Sequence, residues 1–325
     1  MRHTMNNIAC LGFLSLLACT ACQKSSKDKD AVKTSYVHQY GVEIADEKEW
    51  QERGSSGRMV QKLINGSTVV KTWQEGALQG LSYTTFPHTD IICQETFYEA
   101  GEPLWMAKNY QSGAPCHKEQ YLPGQCTVIT TWYQDGSLRS NEEYKEKRLH
   151  TAQYYNTEQT VESSVLEGAG DSIIRDGYGQ LIARKTIQQG QVASEELFYS
   201  NGIPKQKIPY VNGSVEGIVK TFYPGGEPKT VEEWQDGKLN GLVTQFENGE
   251  IVGIIPYVEG EKEGVEQRFR PGTSELVQEI SWKHNVRHGP AISYVDEEKI
   301  TEWYHDGRKV SKMHFIELEH ARKPF

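Results

Sequence analysis

Short alternating runs of apolar and polar residues fill most of the chain. Val215–Tyr223 (VEGIVKTFY) and Thr230–Trp234 (TVEEW) interleave β-branched or aromatic residues with polar ones, which is typical of half-buried strands. Each run is closed by an aromatic residue and a turn that contains glycine. Half-units of 11 to 12 residues leave too little length for helices. The pattern therefore predicts strands joined by hairpins.

The runs recur with a period of about 23 residues. The best-formed period opens with YVNG at 210–213 and ends with its near copy, WQDG, at 234–237. Twelve positions begin such a period: Trp50, Trp73, Tyr98, Tyr121, Tyr144, Val165, Ile187, Tyr210, Trp234, Tyr257, Trp282 and Tyr304. A second series of turns lies half a period out of step and begins at Tyr110, Tyr133, Tyr199, Tyr223 and Phe246. This regularity predicts a repeat architecture.

Asn-Gly and Asp-Gly pairs connect many of the runs. Such pairs favour the type I′ turn, in which both central residues have a positive φ and the turn matches the twist of the strands. We expect these turns at Asn65-Gly66, Asp135-Gly136, Asp176-Gly177, Asn201-Gly202, Asn212-Gly213, Asp236-Gly237, Asn248-Gly249 and Asp306-Gly307. The predicted fold class is all-β, an elongated antiparallel array of about twelve hairpin units in a single-layer twisted sheet of roughly 24 strands. Aromatic residues stacked across neighbouring strands are expected to form its core.

The repeat unit resembles that of MORN-repeat variant proteins, bacterial proteins often described as YwqK-like antitoxins. The resemblance rests on an aromatic-x-Asn/Asp-Gly-x-Leu/Val signature with two such turns in each unit. Its best matches are FYPGGEPKTVEEWQDGKLNG at 222–241, FYSNGIPKQKIPYVNGSVEG at 198–217 and WYQDGSLRSNEEYKEK at 132–147. It covers about 47–315 and is weak at 161–190. It implies a β-hairpin array that acts through repeat-mediated contacts and has no catalytic residues.

The amino terminus looks like a bacterial lipoprotein signal. Arg2 and His3 precede an apolar run at 8–17, and the sequence Leu-Leu-Ala-Cys then ends at Cys19. In such signals this cysteine is lipidated and becomes the first residue of the mature chain. Cys22 is the alternative site, and an ordinary secretory signal is the competing interpretation. Two or three acyl chains, at about 0.8 kcal/mol for each buried methylene, anchor a protein stably.

These features divide the chain into four predicted segments. Residues 1–18 are the signal peptide, and 19–40 hold the lipidated cysteine and a polar, disordered tether. Residues 41–315 hold the repeats, and 316–325 form a cap or tail. We expect an exported protein, lipid-anchored on the extracytoplasmic side of the cell envelope, at the outer membrane if the cell has two membranes.

Charge and cysteine spacing narrow the function classes further. The net charge is −9, and binders of nucleic acid carry a basic face, so nucleic acid is not an expected partner. The three cysteines of the repeat region, Cys93, Cys116 and Cys126, show no zinc-binding spacing. They leave open one disulfide or none. The membrane is the expected partner only through the lipid anchor.

The spacing of acidic residues and histidines does not indicate a catalytic or metal-binding site. Adjacent glutamates recur at one repeat position, as at 142–143 and 232–233, which favours a solvated strand face over an acid–base pair. His284 and His288 are four residues apart, but a hairpin does not bring them together as a helix would. The sequence predicts no catalytic residues, no metal site and no cofactor.

Adjacent aromatic pairs mark the predicted binding surface. Neighbouring strand residues face opposite sides of a sheet, so one member of each pair should point away from the buried face. The partner-contact candidates from these pairs are Trp132, Phe198, Phe222 and Trp303. The leading hypothesis is a non-catalytic scaffold or adaptor for a protein partner, which the sequence does not identify. The alternatives are neutralisation of a partner protein, as by an antitoxin or immunity protein, and binding of envelope glycans.

Overall fold

The computed structural model describes residues 30–295 and 298–322. These residues form two units, the first holding 30–181 with 186–191 and the second holding 182–185 with the residues from 192 onwards. The predicted signal peptide and both candidate lipidation sites, Cys19 and Cys22, lie outside the described residues. So does the first part of the predicted tether.

Unit 1 is an antiparallel succession of hairpins. Its elements are β1 (Ala31–His38), β2 (Glu43–Ile44), α1 (Glu47–Glu52), β3 (Gly57–Leu63), β4 (Thr68–Gln74), β5 (Ala77–Leu78), β6 (Gly80–Thr85), β7 (Ile92–Glu99), β8 (Glu102–Asn109), β9 (Pro115–Leu122), β10 (Cys126–Trp132), β11 (Leu138–Lys145), β12 (Arg148–Tyr155), β13 (Val161–Leu166) and β14 (Ala169–Arg175). β1 pairs with β2 and β3, β4 pairs with both β5 and β6, and from β6 to β14 each strand pairs with the next.

Unit 2 repeats this arrangement. After β15 (Leu181–Gln188), whose residues are divided between the units, it contains β16 (Gln191–Phe198), β17 (Pro204–Val211), β18 (Ser214–Val215), β19 (Gly217–Phe222), β20 (Pro228–Gln235), β21 (Lys238–Glu247), β22 (Glu250–Val258), β23 (Glu261–Lys262), β24 (Gly264–Arg270), β25 (Glu275–Lys283), β26 (Val286–Val295), β27 (Glu298–His305), β28 (Arg308–Val310) and α2 (Lys312–Arg322). Within its described residues, strands from β16 to β28 pair antiparallel. The prediction of an all-β antiparallel hairpin array is confirmed.

Two kinds of short turn recur between the strands, where the sequence predicted one. At 234–237 both Asp236 and Gly237 have a positive φ, 48° and 76°, as a type I′ turn requires. At 133–137 the loop is one residue longer. The Tyr133 amide donates a hydrogen bond to the Ser137 carbonyl at 2.9 Å, which leaves three residues in the loop. There only Gly136 has a positive φ, 87°, which is the pattern of a type I turn followed by a glycine bulge.

The type I′ prediction is confirmed at Asn212-Gly213, Asp236-Gly237, Asn248-Gly249 and Asp306-Gly307, where both residues have a positive φ. It is wrong at Asn65-Gly66, Asp135-Gly136 and Asn201-Gly202, where only the glycine does. It is also wrong at Asp176-Gly177, because the positive φ falls two residues later, on Gly179. The difference is loop length, which the dipeptide alone does not specify.

A tyrosine hydroxyl ties four of the bulged turns to the following repeat, and we call these four hydrogen bonds the hydroxyl ladder. The bulged turns that open at Leu63, Asn156 and Asp176 have no tyrosine at this position. In unit 1, Tyr110 Oη donates to the Trp132 carbonyl at 2.8 Å and Tyr133 Oη donates to the Tyr155 carbonyl at 2.6 Å. In unit 2 the same bond joins Tyr199 to Phe222 at 2.8 Å, and Tyr223 to Phe246 at 3.1 Å. Each acceptor lies where the register of its strand pair shifts. A shift of this kind disrupts the backbone ladder locally, and the hydroxyl supplies a donor there.

At six of the periodic aromatic residues, the residue that faces the aromatic side chain on a neighbouring strand is glycine and not a second aromatic residue. The register pairs are Gly57 with Trp73, Gly80 with Tyr98, Gly217 with Trp234, Gly241 with Tyr257, Gly264 with Trp282 and Gly289 with Tyr304. Each of these aromatic side chains is half-buried. All six glycines have a positive φ, between 77° and 137°, a backbone conformation that glycine adopts far more readily than other residues.

The prediction of a core of stacked aromatics is therefore wrong. Among the described residues one pair of rings is stacked, Phe97 with Trp105, at 6.0 Å between centroids. The most buried positions belong mainly to shorter side chains on the inner face, including Val165, Val219, Val243, Ile255, Ile280 and Ala291.

Helices occupy the ends of the described array. Trp50, predicted to begin a repeat, lies instead in α1, where it is buried against the Tyr36 ring at 5.4 Å. Asp46 caps that helix by accepting a hydrogen bond from the Glu49 amide. Residues 31–38, predicted to be tether, form β1 because Tyr36 packs on this helix. At the other end α2 begins at Lys312, before the predicted boundary at 315.

Candidate binding surface

Three exposed aliphatic residues occupy equivalent positions on alternate strands of unit 2. Ile218, Leu242 and Val265 are 45%, 43% and 48% exposed, and each follows the glycine that faces an aromatic residue. The next residue in each strand is buried on the opposite, inner face: Val219, Val243 and Glu266. Alternation along a strand explains this division. The outer face is thus apolar at a fixed point in each repeat.

A phenylalanine follows each of these aliphatic residues four positions later, on the same face of the strand. These phenylalanines are Phe222, Phe246 and Phe269, and all three are half-buried. Together the six residues form what we call the outer-face row. Their strands, β19, β21 and β24, each pair with an intervening strand, so equivalent side chains recur about 10 Å apart.

Three of the four predicted partner contacts take this phenylalanine position. Phe222 pairs in register with Pro228, and the first residue after the turn is likewise the partner of Trp132 (Leu138) and of Phe198 (Pro204). Trp132 belongs to unit 1, whereas Phe198 and Phe222 belong to unit 2. All are half-buried, and Tyr133, the neighbour of Trp132, is only 1% exposed.

Sequence reasoning missed Phe246 and Phe269. The repeat spacing grouped Phe246 with Tyr223, the residue that opens the bulged turn. The structure places it instead at the position of Phe222, because its turn has two residues, Asn248 and Gly249, and not three. The hydrogen bonds of the hydroxyl ladder identify the equivalence. The Phe246 carbonyl accepts from the Tyr223 hydroxyl as the Phe222 carbonyl accepts from the Tyr199 hydroxyl.

Trp303 is not equivalent to the other candidates. It pairs with Pro290 and Val310, and its ring lies 5.1 Å from that of Phe315 in α2. Lys312 Nζ lies 5.7 Å from the centre of the same ring. Helix α2 therefore partly covers Trp303, which does not belong to the outer-face row.

The recurrent glutamates have a structural partner. The first glutamate of each pair accepts a hydrogen bond from the aromatic residue two positions later: Glu142 from Tyr144 at 2.7 Å, and Glu232 from Trp234 at 3.0 Å. These carboxylates are half-buried, so the prediction of a solvated strand face is wrong for them. The same bond joins Tyr121 to Glu119, where burial of the phenol and the neighbouring carboxylate raise the Tyr121 pKa to about 12.

Glu266 is a buried acidic residue on the inner face of its strand. It is 2% exposed and occupies the position taken by Val219 and Val243 in neighbouring repeats. Lys262 Nζ and Arg268 Nε lie 2.9 Å and 2.7 Å from its two oxygens. Burial acts to raise the Glu266 pKa, but the hydrogen bonds from both cations outweigh it and lower the pKa overall.

One hairpin of the chain is similar to a repeat of a known protein family. Residues 191–212 match the family described as the MORN repeat variant. One repeat of the chain is thus similar to the MORN repeat variant. The matched residues contain β16, the bulged turn that Tyr199 opens, and β17. This is the same hairpin unit that recurs along both units of the chain.

The similarities to solved structures are too low to support an inference about function. No curated protein matches the chain. Among solved structures it is similar, at 10% identity and a TM-score of 0.20, to a mutant of S. aureus TarM in complex with fondaparinux, alpha-GlcNAc-glycerol and UDP, covering 38% of this chain and 21% of that one. It is also similar to TcdB2-TccC3 at 10% identity and a TM-score of 0.16, covering 85% of this chain and 18% of that one. The chain thus spans about a fifth of either structure.

The described helices include none that is both long and apolar enough to span a membrane.

Replacing Glu266 by valine should change the free energy of unfolding at pH 7 by no more than about 1 kcal/mol, because valine fits this repeat position and the two cations, 24% and 49% exposed, can be hydrated. The lowered pKa predicts a distinct acid response. The contribution of Glu266 is complete above its ordinary pKa of 4.5 and is lost as the pH falls through the lower folded-state value. Urea denaturation from pH 7 to pH 3 should show the wild type losing stability relative to Glu266→Val below about pH 4.5. Parallel curves for the two proteins would contradict this.

Proposed function

We propose that this chain is a non-catalytic repeat protein, lipid-anchored at the cell envelope, that binds a protein partner through the outer-face row. The observation that carries the proposal is the recurrence of one exposed aliphatic residue and one half-buried phenylalanine on each of β19, β21 and β24. Scattered exposed apolar residues are ordinary on protein surfaces, but a row repeated in register is typical of an interaction surface.

The MORN-variant repeat supports a binding role of this kind. Repeat arrays present the same side-chain position many times along one surface, and they commonly act as binding surfaces or scaffolds. Glu142 and Glu232, which belong to the adjacent glutamate pairs, accept hydrogen bonds from aromatic side chains at equivalent repeat positions. That repetition favours a structural role over a catalytic one.

A protein partner fits the chemistry of the outer-face row better than a glycan does. Ile218, Leu242 and Val265 offer no hydrogen-bonding groups, whereas apolar side chains of a protein partner would gain from their burial at roughly 25 cal/mol per Å². An antitoxin-like role would use the same contacts and differ only in the identity of the partner.

The lipid anchor is the second part of the proposal. It rests on the apolar run at 8–17 and on the Leu-Leu-Ala-Cys sequence that ends at Cys19. An anchored array would be held at the membrane surface with its outer-face row available to envelope proteins.

Photo-crosslinking in the native cells tests the binding surface. A photoreactive phenylalanine analogue at Leu242 should yield a discrete adduct with a protein, identified by mass spectrometry. The matched control is the same analogue at Gln245, which is exposed on the opposite face of the same strand. Leu242→Asp should weaken binding of the identified partner by at least about tenfold, roughly 1.4 kcal/mol. Equal labelling from Gln245, or unchanged binding by Leu242→Asp, would overturn the proposal.

Metabolic labelling with palmitate tests the anchor. We expect Cys19→Ala to abolish incorporation of the label and to release the protein from the membrane fraction, because the acylated sulfur is removed. Cys22→Ala is the control and should label as the wild type does. Labelling that persists in Cys19→Ala and disappears in Cys22→Ala would move the anchor to Cys22. Labelling that persists in the double variant would refute lipidation at either cysteine.

A further inference from the structure

Two histidines and one glutamate converge where α2 meets the last strands of unit 2. His288 comes from β26, His305 from the end of β27 and Glu319 from α2. One ligand atom from each lies within 4.8 Å of the other two. Glu319 Oε1 is 3.1 Å from His288 Nε2 and 3.2 Å from His305 Nε2. No repeat position predicts this cluster, because α2 is not part of the repeat.

These distances match the edges of a tetrahedral metal site. Zinc binds imidazole nitrogen and carboxylate oxygen at about 2.0–2.1 Å, so two ligands at the tetrahedral angle are roughly 3.3 Å apart. Two of the three ligand pairs are already close to this separation. Two histidines and one glutamate are also an established zinc ligand set, in which water or another ligand takes the fourth position.

A carboxylate lies behind the histidines, on the side away from Glu319. Asp306 Oδ1 is 3.2 Å from His288 Nδ1, and Asp306 Oδ2 is 3.7 Å from His305 Nδ1. Histidines that bind metal through Nε2 usually donate their other ring N–H to such a group, which fixes the tautomer and the ring orientation. One aspartate next to both histidines suits this role.

The hydrogen bonding is incomplete without a cation. His288 alone could donate from Nε2 to Glu319 and accept from the Asp306 amide at 3.3 Å. The Nε2 of His305, however, is buried and makes no hydrogen bond among the described residues, although Glu319 is near. Buried polar atoms of native proteins are almost always satisfied, and a metal ion bound to this nitrogen would satisfy it.

The surroundings protect such a site from water. The side chains of His288 and His305 are only 8% and 12% exposed. The Phe315 ring lies against both, with centroid distances of 5.4 Å and 5.9 Å. An apolar wall of this kind limits solvent access and strengthens the interaction of a cation with its ligands.

We propose that His288, His305 and Glu319 bind Zn²⁺ or a similar divalent transition-metal ion, with Asp306 as a positioning residue. The ion would join α2 to β26 and β27 and so close this end of unit 2. His284, which the sequence places four residues before His288, takes no part, because its side chain is 73% exposed and faces Glu261.

Equilibrium dialysis of the untagged protein against Zn²⁺, after treatment with a chelator, tests the proposal. One Zn²⁺ ion per chain should remain bound, and its replacement by Co²⁺ should give the intense visible absorption of a tetrahedral site. His305→Gln and Glu319→Gln should each weaken Zn²⁺ binding at least tenfold, and Asp306→Asn should weaken it by about 10–100-fold. Zn²⁺ should also raise the melting temperature of the wild type.

His314→Gln is the matched control. His314 is also in α2, it contacts Glu317 at 3.5 Å and its side chain is 56% exposed, so its loss should leave Zn²⁺ affinity unchanged. The wild-type titration needs no variant to fold, and circular dichroism checks that the variants retain their β structure. Absence of stoichiometric Zn²⁺ binding in the wild type would overturn the proposal. So would wild-type affinity in both His305→Gln and Glu319→Gln.

Discussion

Four repeats in this protein share one hydrogen bond, which runs from the tyrosine of a bulged turn to a backbone carbonyl of the next repeat. Most contacts in a hairpin array are between sequence neighbours, so a fault in one turn cannot be compensated by distant packing. The bulge that a three-residue loop requires disturbs the backbone ladder at its edge. In both units a tyrosine hydroxyl reaches a carbonyl at that point, 22 or 23 residues along the chain. Each of these hydrogen bonds therefore joins residues that are about one sequence period apart.

This constraint also accounts for the candidate binding surface. The tyrosine must face inwards to reach its acceptor, so the residue before it, such as Trp132 or Phe222, faces outwards. Where the turn shortens to two residues, the tyrosine is absent but the outward phenylalanine remains, as at Phe246. The outer-face row therefore follows from the geometry of the inner face. Its apolar character is the feature that the proposed binding role explains.

The sequence was informative wherever a local rule decides the structure. Regular spacing of aromatic residues and glycine predicted the hairpins, and alternation predicted that Trp132 and Tyr133 differ in burial. Turn types were less predictable, because Asp135-Gly136 and Asp236-Gly237 are the same dipeptide in loops of different length. The prediction of an aromatic core was wrong because the strand register places glycine opposite Trp234 and Tyr257. The spacing of residues in the sequence does not specify that register. The cluster of His288, His305 and Glu319 needs α2 folded back onto β27, which no periodicity indicates.

Hydrogen exchange of Tyr133→Phe and Tyr155→Phe, measured by mass spectrometry, tests the central role of the hydroxyl ladder most directly. Tyr133 donates to a backbone carbonyl of the next repeat, whereas the Tyr155 hydroxyl donates to the exposed Gln153 side chain at 2.8 Å. Tyr133→Phe should lower the free energy of local opening in β11 to β13 by about 1–3 kcal/mol, because a partly buried carbonyl loses its donor. Tyr155→Phe should change it by less than about 0.5 kcal/mol. Equal effects of the two substitutions would contradict a central role for the hydroxyl ladder.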